Sequence, residues 1–227
     1  MDDKLFTQND LIDNPTPRCA CMLVLDTSSS MSGEPISSLN EGVQQFVQEV
    51  QEDEFARYSV ELGIITFGGS VQEVVPLQTL ENFQAPELSA SGYTPMGEAV
   101  NLALDRLEQR KQEYKSSGVS YYQPWMVLMT DGQPNDEGWE RAAQRLRALG
   151  EDKKIAVFGI GIGEHCDMQS LALFCPSKRP PLPLAGLKFR EFFVWLSQSM
   201  SRVSQSTPGS KVPLADISGW VELESNI

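Results

Sequence analysis

The chain has 227 residues, 41% hydrophobic and 22% charged, the balance of a soluble globular domain long enough to bury a core without disulfide staples. Its formal net charge of −13 argues against nucleic acid or an anionic membrane surface as a main partner, since both favour basic patches. No apolar run approaches the roughly 20 residues of a membrane-spanning helix, and the acidic start Met1-Asp2-Asp3-Lys4-Leu5 does not read as a secretory signal, so a cytoplasmic protein without membrane insertion is expected.

Residues 1–17 are polar, end in Asn14-Pro15-Thr16-Pro17 and read as a leader to a domain over 18–205. A first strand is predicted over 18–26. A helix over 35–51 follows, with Ile36, Leu39, Val43, Phe46, Val47 and Val50 at helical spacing and Pro35 in its first turn. Val60 to Phe67 reads as a strand closed by Gly68-Gly69. The alternating run Val71 to Leu77 reads as its hairpin partner, and Pro76 places that partner at an edge. A looser stretch, 78–93, leads to a helix over 96–114. The unbroken apolar run Trp125 to Met129 implies a strand buried on both faces. A helix over 136–149, a strand over 154–160, a short helix near 167–174 and an aromatic-rich helix over 187–204 complete the pattern. Strands alternating with amphipathic helices predict an α/β fold: a doubly wound, mostly parallel sheet with one antiparallel edge strand and helices on both faces. The extension 206–227 carries Leu214, Ile217, Trp220 and Val221 and is expected to dock.

The four cysteines are Cys19, Cys21, Cys166 and Cys175. They lack the usual zinc spacings. Cys19 and Cys21 also begin one strand whereas His165 and Cys166 follow the end of another, roughly 15 Å away at about 3.3 Å per residue. Gly159-Ile160-Gly161-Ile162-Gly163 is not a dinucleotide fingerprint, because Glu164 stands where the pattern continues and the unit is not the first βαβ. These glycines are expected to let the chain turn near the end of its strand.

Ligands of open α/β sheets bind beyond the carboxyl ends of the strands. Three segments place oxygen-bearing side chains there: Asp26-Thr27-Ser28-Ser29-Ser30 after the first strand, Thr94 in Ser91-Gly92-Tyr93-Thr94-Pro95-Met96-Gly97, and Asp131 in Met129-Thr130-Asp131-Gly132. Hydroxyl and carboxylate oxygens are hard ligands that suit Mg2+ or Mn2+ rather than zinc. Gly92, Gly97 and Gly132 allow close backbone approach, and Asp136 is placed to cap the helix that follows it.

These segments resemble the metal-ion-dependent adhesion site of von Willebrand factor A domains. The resemblance covers about 18–204 and implies that Ser28, Ser30 and Thr94 supply hydroxyl oxygens while Asp26 and Asp131 act directly or through water. It further implies a non-enzymatic module in which a partner protein adds an Asp or Glu to the metal. The runs Asp26–Ile36, Tyr93–Ala99 and Met129–Asp136 are most similar to bacterial stand-alone cytoplasmic proteins of the tellurite-resistance, TerY-like type. That type implies a stress-response setting beside a protein kinase and a PP2C-like phosphatase. The rival readings are a Mg2+-dependent hydrolase built on Asp26 and Asp131, and a scaffold whose metal only clamps loops. The hydrolase reading lacks a Walker A loop, a G-x-S-x-G elbow and any histidine but His165.

Overall fold

Cys19–Asp26 forms strand β1, and all eight of its residues are buried. Its alternate side chains feed two cores. Cys19, Cys21, Leu23 and Leu25 enter one; Ala20, Met22 and Val24 enter the other. Only a strand covered on both faces has this property, and it fixes β1 at the centre of the molecule. The computed structural model describes residues 16–221 together with Leu11 and Asn14. Most of the 1–17 leader and the last part of the 206–227 extension therefore lie outside the described residues.

After β1 come a 3-10 turn over Ser29–Met31, helix α1 (Glu34–Glu52), a short helix α2 (Ala56–Ser59), β2 (Val60–Gly68) and β3 (Ser70–Thr79). Helix α3 (Met96–Ser116), β4 (Trp125–Thr130), α4 (Trp139–Glu151), β5 (Ala156–Ile162), α5 (Met168–Phe174), β6 (Leu182–Leu184) and α6 (Phe189–Ser204) follow. The six strands form one sheet in the order β3-β2-β1-β4-β5-β6. Every pairing is parallel except the β2–β3 hairpin. Helices α1, α2 and α6 pack on one face; α3, α4 and α5 pack on the other. This is the doubly wound α/β sandwich expected from the sequence, with Pro76 on the edge strand.

Two short elements were not predicted. Helix α2 has four residues, and β6 is Leu182-Pro183-Leu184, held by pairing Leu182 with Ile160 and Leu184 with Ile162. Strand β5 also begins two residues later than expected, because Lys153 turns the chain with φ 57°. Its glycines have a different purpose from the turn predicted. Gly159 and Gly161 lie inside the strand. A Cβ at Gly159 would fall 2.5 Å from Cys175 Sγ, and one at Gly161 would fall 2.2 Å from Met168 Sδ. They let α5 approach the sheet closely; Gly163, with φ +72°, makes the turn.

The amino-terminal edge of the sheet is fastened by a buried charge cluster. Glu61 accepts from Arg110 Nε and Nη2 at 2.7 and 2.8 Å and from the Tyr114 hydroxyl at 2.6 Å. Arg18 Nε lies 3.5 Å from the same carboxylate. On the far side, the segment after α6 folds back on it. The Trp220 ring sits 4.9 Å from Phe192 and 5.2 Å from Trp195, Trp195 Nε1 donates to the Ala215 carbonyl, and Val221 bridges to Leu184. None of the described helices is long and apolar enough to cross a membrane.

Candidate metal centre

The carboxyl ends of β1 and β4 lie side by side, because Leu25 pairs with Met129 in parallel register. One step further along, the two strands deliver Asp26 and Thr130. Asp26 is fully buried. Its Oδ1 accepts from the Ser28 backbone N–H at 2.8 Å and its Oδ2 from the Thr130 hydroxyl at 2.6 Å. Burial pushes the Asp26 carboxyl above its ordinary value, hydrogen bonds from Ser28 and Thr130 counter this, and the nearby Asp131 charge adds to the rise.

Above Asp26 the other oxygens form a hydrogen-bonded series. Ser28 Oγ is 3.0 Å from Ser30 Oγ, and Ser30 Oγ donates to Asp131 Oδ1 at 2.8 Å. Exposure peaks at its middle member: Ser28 is 2% exposed, Ser30 is open to solvent and Asp131 is half-buried. Thr94 is 7% exposed. Its hydroxyl stands over the Asp131–Gly132 turn, since a Cβ at Gly132 would meet Thr94 Oγ1 at 3.7 Å. The structure thus brings together all five residues singled out in the sequence: Asp26 at the floor, Ser28 and Thr94 in the walls, Ser30 and Asp131 at the mouth.

Backbone hydrogen bonds fix the loops that carry them. Ser91 N–H donates to the Thr27 carbonyl at 2.7 Å, Ser29 N–H to the Gly92 carbonyl at 3.1 Å, and Gly69 N–H to the Tyr93 carbonyl at 2.9 Å. Gly92 has φ +71°, and a Cβ there would land 2.3 Å from Gly69 Cα, so only glycine fits. Gly97 is likewise required, because a Cβ would lie 2.5 Å from Trp139 Cα. Gly132 is not: its Cβ position meets only the 3.7 Å contact already described.

Asp136 does not cap the helix that follows it. Its carboxylate accepts from Gly97 and Glu98 N–H at 3.1 and 2.8 Å, so it caps α3, 39 residues upstream at Gly97, while α4 starts after Gly138 without a side-chain cap. Two further residues were missed. Thr130 holds Asp26, and Asn135 clamps Thr94 by accepting from its N–H at 3.1 Å and donating its own N–H to the Thr94 carbonyl at 3.2 Å. The signal for Thr130 was present: a hydroxyl ends an otherwise apolar buried strand next to a strand that ends in a carboxylate.

The cysteines take no part in such a cluster. Cys19 and Cys21 are wholly buried at the opposite edge. Cys166 donates its thiol to the Thr130 carbonyl at 3.4 Å. Burial pushes that thiol up to about 11; a backbone hydrogen bond at Ile162 opposes the shift, while the charges of Asp131, Asp167 and Asp26 reinforce it. Among the described residues no group of three His, Cys, Asp or Glu side chains is disposed to hold a metal. The donor set of the centre is of a different kind, two carboxylates and three hydroxyls, which is chemistry suited to a hard divalent ion.

Such a sheet, with a fixed cup of hydroxyls and carboxylates at its carboxyl edge, defines a doubly wound α/β domain whose ligand site is built from loops. The chain belongs to the von Willebrand factor type A domain family, whose model matches residues 21–181. An uncharacterized protein of Synechocystis sp., sll0103, is 27% identical over 192 residues, 80% of this chain; the chain spans 41% of that protein. Among solved structures, the PilB minor pilin of Streptococcus sanguinis superposes with a TM-score of 0.61 at 14% identity, covering 82% of this chain and 62% of the pilin. Manganese-loaded TRAP of Plasmodium vivax gives 0.55 at 18% identity over 79% of this chain and 72% of its own. Proximal thread matrix protein 1 of the mussel byssus, in a form with a zinc-occupied MIDAS motif, gives 0.55 at 19% identity over 82% and 48%.

Proposed function

We propose that the cup formed by Asp26, Ser28, Ser30, Thr94 and Asp131 holds Mg2+ or Mn2+ and docks a partner protein through an Asp or Glu of that partner. The observation that carries this reading is the continuous hydrogen-bonded series Ser28–Ser30–Asp131, set directly above the buried Asp26. Its members are hard oxygen donors already within bonding distance of one another, so little ordering remains when an ion arrives. Ser28, Ser30 and Thr94 would offer hydroxyl oxygens; Asp26 and Asp131 would act directly or through water. Two carboxylates leave a divalent ion without excess negative charge, and the ion then supplies an electrophilic position for one more anionic oxygen. The metal-loaded forms of the mussel and Plasmodium proteins support the reading.

The module is non-enzymatic in this proposal. His165, the only histidine, is exposed on the loop after β5. The finer assignment is to the bacterial cytoplasmic TerY-like type in a stress-response or tellurite-resistance system, with a protein kinase and a PP2C-like phosphatase as partners.

Calorimetric titration of the chain with Mn2+ and Mg2+, repeated on the Ser28→Ala/Thr94→Ala variant, tests the ion site; equal heats from both proteins would refute it. A tagged pull-down in Mg2+, in EDTA and with the same variant tests docking. A partner lost in the second and third lanes supports it, and unchanged capture in all three refutes it. A scaffold whose metal only clamps the loops would instead show EDTA-dependent melting with capture intact.

A further inference from the structure

The loops around the cup are one-signed. The segments 27–38, 68–72, 88–98, 131–140 and 163–170 form the carboxyl edge from β2 to β5, and none contains a lysine or arginine, although the chain has 18. They carry Glu34, Glu98, Glu137, Glu140 and Glu164 exposed, and Asp131, Asp136 and Asp167 half-buried. The first basic residue met beyond this stretch of edge, Lys188 after β6, reaches the Gly219 carbonyl at 3.4 Å. A field of this sign concentrates cations and repels an anion approaching without compensation. A ligand that offers only a carboxylate is therefore opposed on its way to the ion.

A second feature stands on the same rim. Tyr93, adjacent to Thr94, is 73% exposed, the most exposed of the large hydrophobic side chains among the described residues. Its backbone is not free: Gly69 N–H holds its carbonyl at 2.9 Å, and Gly92 before it is wedged against Gly69. An aromatic ring on a fixed backbone beside a binding site makes a low-entropy contact, and its face attracts a guanidinium or ammonium group.

We propose that the partner segment is basic around its single metal-directed carboxylate: an Asp or Glu flanked within a few residues by Lys or Arg, with one of these cations stacked on Tyr93 and the others facing Glu34, Glu137 and Glu164. The inference rests on the metal-docking reading and specifies its ligand. The carboxylate meets the ion, the flanking cations meet the acidic rim, and the surface discriminates against acidic or apolar segments that carry the same carboxylate.

The test pans the full chain, in Mn2+ and in EDTA, against displayed short peptides with one fixed central Glu and randomised flanks. Enrichment of Lys and Arg in the flanks, only in Mn2+, is expected. The enriched peptide should weaken about two- to fivefold on Tyr93→Ala, the size of an exposed cation–π contact. It should weaken further on Glu34→Gln/Glu137→Gln/Glu164→Gln, and its advantage over a Ser-flanked peptide should shrink as salt rises. Mn2+-dependent peptides with neutral, apolar or acidic flanks would overturn this proposal and leave metal docking standing; the absence of any enrichment beside a normal calorimetric Mn2+ isotherm would overturn it and leave only ion binding standing. Binding indifferent to both EDTA and replacement of the central Glu by Gln would overturn the two readings together.

Discussion

Gly92→Ala separates backbone freedom from steric room at the centre. Gly92 has φ +71°, and a Cβ at this position would meet Gly69 Cα at 2.3 Å, Gly69 N at 2.6 Å and Gly68 C at 3.3 Å. All three are backbone atoms, so no rotamer change relieves the contact. The left-handed conformation costs about 1–2 kcal/mol, and forcing carbon into occupied space adds about 1–3 kcal/mol. Gly138→Ala is the control: φ is +77° but nothing lies within 4 Å, so only the conformational part, about 1 kcal/mol, is expected. In urea denaturation Gly92→Ala should lose about 3 kcal/mol, equivalent to about 6–12 °C in Tm for a domain of this size. Because the displaced backbone carries the Ser29–Gly92 and Gly69–Tyr93 hydrogen bonds, Mn2+ affinity should fall as well, whereas Gly138→Ala should leave it unchanged. Equal destabilisation by the two variants, or an unaltered Mn2+ isotherm for Gly92→Ala, would refute the idea that this contact holds the Thr94 loop in register.

Thr130→Val keeps the shape of the side chain but removes the donor to a buried carboxylate, so stability should fall by about 1.5–3 kcal/mol and Mn2+ affinity by about 10- to 100-fold, read by urea titration and calorimetry. Burial raises the Asp53 carboxyl, but hydrogen bonds from Ala56 N–H, the Ser201 hydroxyl and Phe55 N–H outweigh it and leave the group below its ordinary range. A depressed folded value gives stability that is present above the unfolded value and lost as pH falls through the folded one. The urea-midpoint advantage of wild type over Asp53→Asn should therefore hold at neutral pH, begin to shrink below about pH 4 and be lost only as pH falls through the lower folded value. Trp220→Ala removes a ring packed on Phe192 and Trp195 and should cost about 3–5 kcal/mol in urea denaturation with Mn2+ affinity retained, because the ring lies on α6 rather than at the cup.

The five oxygen donors were legible because each lies at the end of an element whose pattern is strong, or in the loop directly following or leading into one. Asp26 ends an unbroken apolar strand, and Asp131 follows another; the parallel register then brings them to one edge. What escaped reading was set by contacts distant in sequence. Asp136 looks like a local cap, yet its carboxylate is taken by α3, because Gly97 and Trp139 pack close enough to bring the two helix starts together. Strand β6 contains Pro183, which removes a donor, and its three residues have no period to read; pairing with β5 alone makes it a strand. Gly159 and Gly161 resembled a turn because the sequence carries no sign that Met168, at the start of α5, and Cys175, just after its end, would press their sulfur atoms onto them.

The two edges of the sheet handle buried carboxylates in opposite ways, and this explains why one binds and the other fastens. Glu61 and Asp26 lie on adjacent strands and both are fully buried. Glu61 is met by the guanidinium groups of Arg18 and Arg110, so its charge is neutralised within the chain and the cluster acts as a clamp. Among the described residues Asp26 is met by neutral donors, the N–H and side chain of Ser28 and the Thr130 hydroxyl. These orient the carboxylate without cancelling its charge, and Asp131 adds a second charge above it. Net negative potential therefore emerges at the mouth among Ser28, Ser30 and Thr94, where oxygen lone pairs converge. Replacing Thr130 by a cationic residue would convert the second arrangement into the first: Thr130→Lys should preserve the sheet edge only if the ammonium reaches Asp26, and in that case it should abolish Mn2+ binding by taking the ion's electrostatic place.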